Sequence, residues 1–164
     1  MKKSAVISLL LCISALLTAT ACGAQTGPAN LDIKSAASAV INSGAYTDTM
    51  GEAKSDAATS LYKLAAADVA DCDVYFSSMA TAEECAIFKA ANKSAADRIL
   101  SACKDRQSSQ VTSYQNYVPT EVAKINAAII MKSGNYVFYI VSNDQTKAAS
   151  ALSQYGVTVK TGGK

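Results

Sequence analysis

Tyr136-Val137-Phe138-Tyr139-Ile140-Val141 is the stretch on which the fold turns. Successive side chains of a strand point to opposite faces, so Tyr136, Phe138 and Ile140 make one apolar surface and Val137, Tyr139 and Val141 another. Neither surface is made for water, which predicts a sheet covered on both sides. Just upstream, Ser133-Gly134-Asn135 offers glycine and asparagine where positive φ is needed, so the strands Ala127 to Lys132 and Tyr136 to Ser142 are predicted to form a hairpin.

Further upstream lies a helical pattern from about Ser94 to Tyr117. Ala96, Ile99, Leu100, Cys103, Val111, Tyr114 and Val118 follow one face, Asp97, Lys104, Asp105, Ser108 and Gln115 fall outside it, and Pro119 ends it. Before this helix, Val74-Tyr75-Phe76 and Cys85-Ala86-Ile87-Phe88 read as a first hairpin around a small-residue turn from Ser78 to Thr81. Ile33, Ala36, Ala37, Val40 and Ile41 recur at helical spacing, with Asn30 or Asp32 as cap and Gly44 as stop. Residues 46–70 are alanine-rich and weakly patterned, with one or two short helices expected around Ser60 to Ala70. A closing helix is predicted from Asp144 to Gln154.

These elements predict a single α+β domain over residues 31–155. Its sheet is mostly antiparallel and four-stranded, made of two β-hairpins with a long helix between them, an N-terminal helix and a closing helix. The long and closing helices are expected on one face, and the first helix or a partner protein on the other. Residues 156–164 form a tail in which Gly156 to Lys160 can add an edge strand before Gly162-Gly163.

The order of elements and four strings, Leu61-Tyr62-Lys63-Leu64, Ala86-Ile87-Phe88-Lys89, Tyr117-Val118-Pro119 and Lys132-Ser133-Gly134-Asn135-Tyr136-Val137, resemble the bacterial lipoproteins that carry domain of unknown function 4358. The likeness spans Leu31 to Leu152. It departs from the family's usual look at Tyr75 to Ala82, where a proline and methionines are more familiar, and in the three cysteines of the domain. The resemblance implies a small surface lipoprotein, mostly of anaerobic Gram-positive bacteria, and no particular activity.

The N-terminus supports an exported protein on its own residues. Lys2 and Lys3 precede an apolar run from Ala5 to Leu17 that is too short to span a bilayer, as in a secretory signal over residues 1–21. Thr18-Ala19-Thr20-Ala21-Cys22 then resembles a lipobox, with Ala19 standing where leucine is usual. Cys22 is the expected lipidation site, its thiol receiving diacylglycerol; ordinary cleavage after Ala21 with a free Cys22 is the alternative. Residues 22–30, poor in apolar side chains, read as the lipidated cysteine and a flexible tether. The expected address is the extracytoplasmic face of the cell membrane.

Composition removes several function classes. The chain has 15 basic and 13 acidic residues, and two of the basic ones are Lys2 and Lys3, so the rest is balanced and no nucleic-acid surface is indicated. There is no histidine, which excludes Ser-His-Asp and Cys-His catalysis and His-ligated zinc. Cys12 lies in the signal; Cys72, Cys85 and Cys103 lie in the domain, either as one disulfide plus a free thiol or as three small buried hydrophobes. Cys103 on the apolar helix stripe favours the second arrangement.

Four groups of residues invite a functional reading. The carboxylates beside Cys72 in Asp71-Cys72-Asp73 disfavour a thiolate, so it does not read as a nucleophile. Asp68, Asp71, Asp73, Glu83 and Glu84 gather oxygen ligands of the kind calcium takes, but without EF-hand spacing, and a solvated acidic edge is the simpler reading. Arg98, Lys104 and Arg106 lie on the long helix, where Arg106 either forks onto a carboxylate or phosphate or makes an exposed salt bridge. Tyr114, Tyr117, Tyr136 and Tyr139 either line a glycan or peptide groove or serve as packing. No catalytic residue, metal ligand or cofactor is assigned. The expected function is a non-enzymatic binding domain for a protein or envelope partner; the alternative is a small-ligand sensor or accessory subunit of a transport system.

Overall fold

The computed structural model describes residues 27–78 and 80–159. The signal, Cys22 and the end of the tail lie outside the described residues. In chain order the elements are α1 (Ile33–Ile41), β1 (Gly51–Glu52), α2 (Ser55–Leu61), a 3-10 turn (Ala66–Asp68), β2 (Val69–Phe76), β3 (Glu84–Ala90), α3 (Lys93–Tyr117), a second 3-10 turn (Pro119–Glu121), α4 (Val122–Asn126), β4 (Ile129–Ser133), β5 (Tyr136–Val141) and α5 (Gln145–Ser153). The chain forms one α+β domain on a five-stranded antiparallel sheet of order β1-β2-β3-β5-β4.

Local chemistry sets the helix starts. Asp32, Asn92 and Asp144 each accept a hydrogen bond from the backbone N–H three residues on, capping α1, α3 and α5. Gly134 adopts φ +61° in the two-residue turn that pairs Ser133 with Tyr136.

β5 is buried along its whole length and divides the interior in two. Tyr136, Phe138 and Ile140 join Cys85 and Ile87 beneath α1 and α5, whose Ala36, Ala37, Ala148 and Ala151 allow close approach. Val137, Tyr139 and Val141 join Phe88, Ala86 and Val74 beneath α3, with Ile99 and Cys103 from the helix and Tyr62 from beyond α2. A buried side chain of this size contributes about 1.5–3 kcal/mol, so each layer supplies stability of its own.

Several expectations are corrected. The sheet has five strands because Gly51 and Glu52 pair with Phe76 and Tyr75; two residues carry no periodicity to read. β2 begins at Val69 rather than Val74, its first half hidden by the polar run Ala70-Asp71-Cys72-Asp73 and by a register shift between Val69 and Asp71. The helix expected within Ser60 to Ala70 lies earlier, at Ser55–Leu61, followed only by the 3-10 turn. α4 was not legible in its five residues.

α5 packs beside α1, opposite α3, because the Asp144 N–H donates to the Ala45 carbonyl at 3.1 Å and fixes the helix where α1 ends. Among the described residues both sheet faces are thus covered by helices of the chain itself. The tail forms no edge strand among the described residues. Gly156, at φ +73°, lets the Val157 N–H reach the Leu152 carbonyl, and this turns Val157 into the core beneath α1 and α5. At the N-terminal side, a Cβ on Gly27 would lie 2.5 Å from the Ser133 carbonyl carbon, so the backbone at Gly27 runs against the β4–β5 turn. Among the described residues no helix is long and apolar enough to cross a membrane.

Candidate functional site

The site begins with a chain reversal after α2. The Lys63 N–H donates to the Ser60 carbonyl (3.0 Å) and the Leu64 N–H to the Thr59 carbonyl (2.9 Å), the helix closure whose left-handed residue is usually glycine. Here that residue is Lys63, at φ +53°, a conformation that costs a non-glycine residue about 1 kcal/mol. The reversal sends the Tyr62 ring inward, edge-on to Phe88 (5.0 Å between centroids) and to Tyr139 (6.0 Å). It also lays residues 61–68 alongside α3.

Beneath this arm lies a buried polar network centred on Glu84, the first residue of β3. Glu84 is 1% exposed. Its carboxylate accepts from Arg106 Nη2 at 2.9 Å, from Arg106 Nε at 3.2 and 3.4 Å, from Gln110 Nε2 at 2.8 Å and from the Tyr62 hydroxyl. The Tyr139 hydroxyl donates in turn to Gln110 Oε1. Burial pushes the Glu84 carboxyl up, and Arg106, Tyr62 and Gln110 oppose that shift. Burial also raises the Tyr62 hydroxyl, and the Glu84 charge adds to it.

Two concavities meet at Arg106. A groove of about 820 Å³ runs between the 61–68 arm and one face of α3, with Arg98, Ser101, Ala102, Asp105 and Ser109 on the helix side and Leu61, Lys63 and Leu64 on the arm. A smaller pocket of about 330 Å³ lies on the other side of Leu61, against Phe76, Glu84, Gln110 and Tyr114. Leu61 is 40% exposed on the ridge between them. Lys63 and Asp105 line the groove without an ion-pair partner among the described residues, whereas Arg98 is bound to Asp68.

The residues singled out in the sequence are brought together only in part. The acidic group disperses. Asp68 pairs with Arg98, Asp71 is exposed, and Asp73 is buried on β2 with its Oδ2 unpartnered. Glu83 accepts from the Thr47 N–H and hydroxyl, the Asp48 N–H and Lys124 Nζ, while Glu84 holds Arg106. Among the described residues no three of these types are placed to hold a metal. The solvated acidic edge is therefore also incorrect for Asp73, Glu83 and Glu84, which are buried. Arg106 binds a carboxylate, but that of its own Glu84, and it does so across to the sheet rather than at the surface. Lys104 is exposed.

The tyrosines do not form one cluster. Tyr114 and Tyr117 stack edge-on at 6.5 Å, and the Tyr114 hydroxyl donates to the Thr81 carbonyl. Tyr136 and Tyr139 differ by three positions and so fall on opposite faces, Tyr136 accepting the Leu31 N–H at 3.0 Å.

Cys72, Cys85 and Cys103 are free thiols. Burial pushes Cys85 up to about 12 and raises Cys103 as well, so neither is a nucleophile near neutral pH. Cys72 is half-buried and is raised by burial first, with Asp71 and Asp73 adding to it.

Sequence reasoning missed the Glu84–Arg106–Gln110 network. The signal was present: Arg106 and Gln110 follow Ile99 and Cys103 at spacings of three, four and seven, which places polar side chains on the buried stripe of α3. Lys63 carried no such signal, because lysine does not advertise a left-handed residue.

No curated protein and no solved structure matches the chain. The model of one family, domain of unknown function DUF4358, matches residues 42–142, a segment that includes α2, the arm, the whole of α3 and the Glu84 network. The chain belongs to the DUF4358 family.

Proposed function

We propose that this is a lipid-anchored, extracytoplasmic, non-enzymatic binding protein, tethered through Cys22, whose binding surface is the groove between the 61–68 arm and α3. The groove carries this reading: it is open, long, mixed in polarity, and walled by the exposed Leu61 and by Lys63 in a conformation that stores backbone strain. With both sheet faces occupied by helices, the groove takes over the role that a bare sheet face would have had. The partner is a protein or another component of the envelope.

A photo-crosslinking residue at Ser101, inside the groove, tests this against one at Ser150, on the exposed side of α5. One defined adduct from Ser101 in cells, lost with Cys22→Ser, is expected. Adducts equal from both positions, or none from Ser101, overturn the reading.

The smaller pocket favours a second reading, a small-ligand sensor or transport accessory, because it places Arg106, Gln110 and Tyr114 around one space. A ligand bound to the native state alone raises Tm, and the rise grows with the logarithm of its concentration above Kd. A screen of amino acids and monosaccharides that yields such a rise, abolished by Tyr114→Ala, supports this reading over the first.

A further inference from the structure

The place where the described chain begins fixes which end of the domain is nearest Cys22. Gly27 lies against the β4–β5 turn so closely that a Cβ there would sit 2.5 Å from Ser133 backbone, and a Cβ on Gly134 would sit 3.8 Å from the Gly27 Cα. The same end holds the start of α3, since the Ala90 N–H donates to the Asn135 carbonyl and Asn92 caps the helix. Five residue steps separate Cys22 from Gly27, a reach of at most about 18 Å.

Charge is unequal between the two ends. Around the β4–β5 turn, Lys89, Lys93, Lys132 and Arg98 stand with Asp68, Asp71 and Asp97, and Asp32 and Lys34 of α1 offset each other. Lys89 and Lys93 are exposed and have no ion-pair partner among the described residues. At the far end the balance reverses: Asp48, Glu52, Glu83, Glu84, Glu121 and Asp144 face Arg106, Lys124 and Lys147.

We infer that the end carrying the β4–β5 turn, Lys89 and Lys93 docks on an anionic lipid surface, with α3 rising away from it. The inference rests on acylation of Cys22, as proposed above. An acyl anchor alone selects no orientation; the acidic far end is repelled by anionic headgroups and the lysine end attracted, which selects one. α3 is then a mast about 37 Å long whose tip is the exposed Tyr117. The groove lies along the lower two-thirds of that mast, between Arg98 and Ser109 on one side of the helix.

The test uses the acylated full chain in vesicles of phosphatidylcholine with or without phosphatidylglycerol, doped with a headgroup-nitroxide lipid. A bimane fluorophore is placed at Asn135→Cys or at Gln115→Cys, both in a Cys72→Ser background. Several-fold stronger quenching at position 135 than at 115 is expected, larger with phosphatidylglycerol, and the phosphatidylglycerol increment is expected to vanish with Lys89→Gln and Lys93→Gln together. Equal quenching at the two positions in a protein that floats with the vesicles overturns the orientation but leaves the anchor standing. An increment that survives both lysine substitutions overturns the anionic docking surface. A chain that neither floats nor carries acyl mass on Cys22 overturns the anchored reading and this inference with it.

Discussion

Glu83 and Glu84 are neighbours in the chain, both buried, and they hold two regions of the molecule on opposite terms. Glu83, at the end of the sheet, is surrounded by donors that favour its charge: two backbone N–H groups, the Thr47 hydroxyl and Lys124. Burial works against that charge, yet the donors prevail and the carboxyl lies below its ordinary value. Glu84, under α3, has Arg106, Gln110 and Tyr62, and there burial prevails and the carboxyl lies above its ordinary value. The difference teaches that a hydrogen-bonded carboxylate is not of one kind. Two fixed backbone N–H groups face Glu83, whereas every donor to Glu84 is a side chain on another element.

The strongest way to break this comparison is to remove each glutamate. Glu84→Ala leaves Arg106 half-buried with no other ion-pair partner among the described residues, and a loss of about 3–5 kcal/mol in urea unfolding is expected. Replacing the pair together, Glu84→Leu with Arg106→Met, is expected to recover most of that loss, because an apolar pair of similar volume avoids the unpaired charge. A double variant no more stable than the single one would show that the network, and not the charge, is what matters. Glu83→Ala is expected to cost less, about 1–3 kcal/mol, since Lys124 keeps Glu121 as a partner at 3.0 Å and only the Thr47 and Asp48 donors lose theirs.

The smallest effect, and the one that sharpens the contrast most, is the dependence of stability on pH. A carboxyl lowered in the fold contributes stability above its unfolded value that disappears as pH falls through the folded value, so Glu83→Gln should flatten the acid limb of the stability profile. A carboxyl raised in the fold contributes stability that is present below its unfolded value and is lost as pH rises through the folded one. Glu84→Gln should therefore remove a decline on the alkaline side of the ordinary carboxylate range. Chemical denaturation at a series of pH values reads both slopes, and slopes of the same sign would contradict the opposite placement of the two groups.

The sequence displayed the parts of the molecule that repeat a pattern over many residues. α1, α3, α5, the Gly134-Asn135 turn and the two-sided burial of β5 were all legible from spacing. What stayed hidden was short or decided by distant contacts. β1 exists only because Phe76 and Tyr75 pair with it, and α5 crossed to the α1 side because of a backbone hydrogen bond to Ala45. The candidate site suffered most. Its groove is a space between two elements, and its strained residue is a lysine where the chain geometry asks for glycine. No local window contains either fact.

The three thiols carry a consequence for how the domain comes to be folded. Cys85 lies on one side of the sheet and Cys103 on the other, with Cys72 near Ser55 at the edge, and none is bridged. The native state is therefore reached without any oxidation step. No thiol oxidase has to act on it, and any disulfide formed among these three cysteines in oxidising surroundings would be non-native, because Cys85 and Cys103 are buried on opposite faces of the sheet.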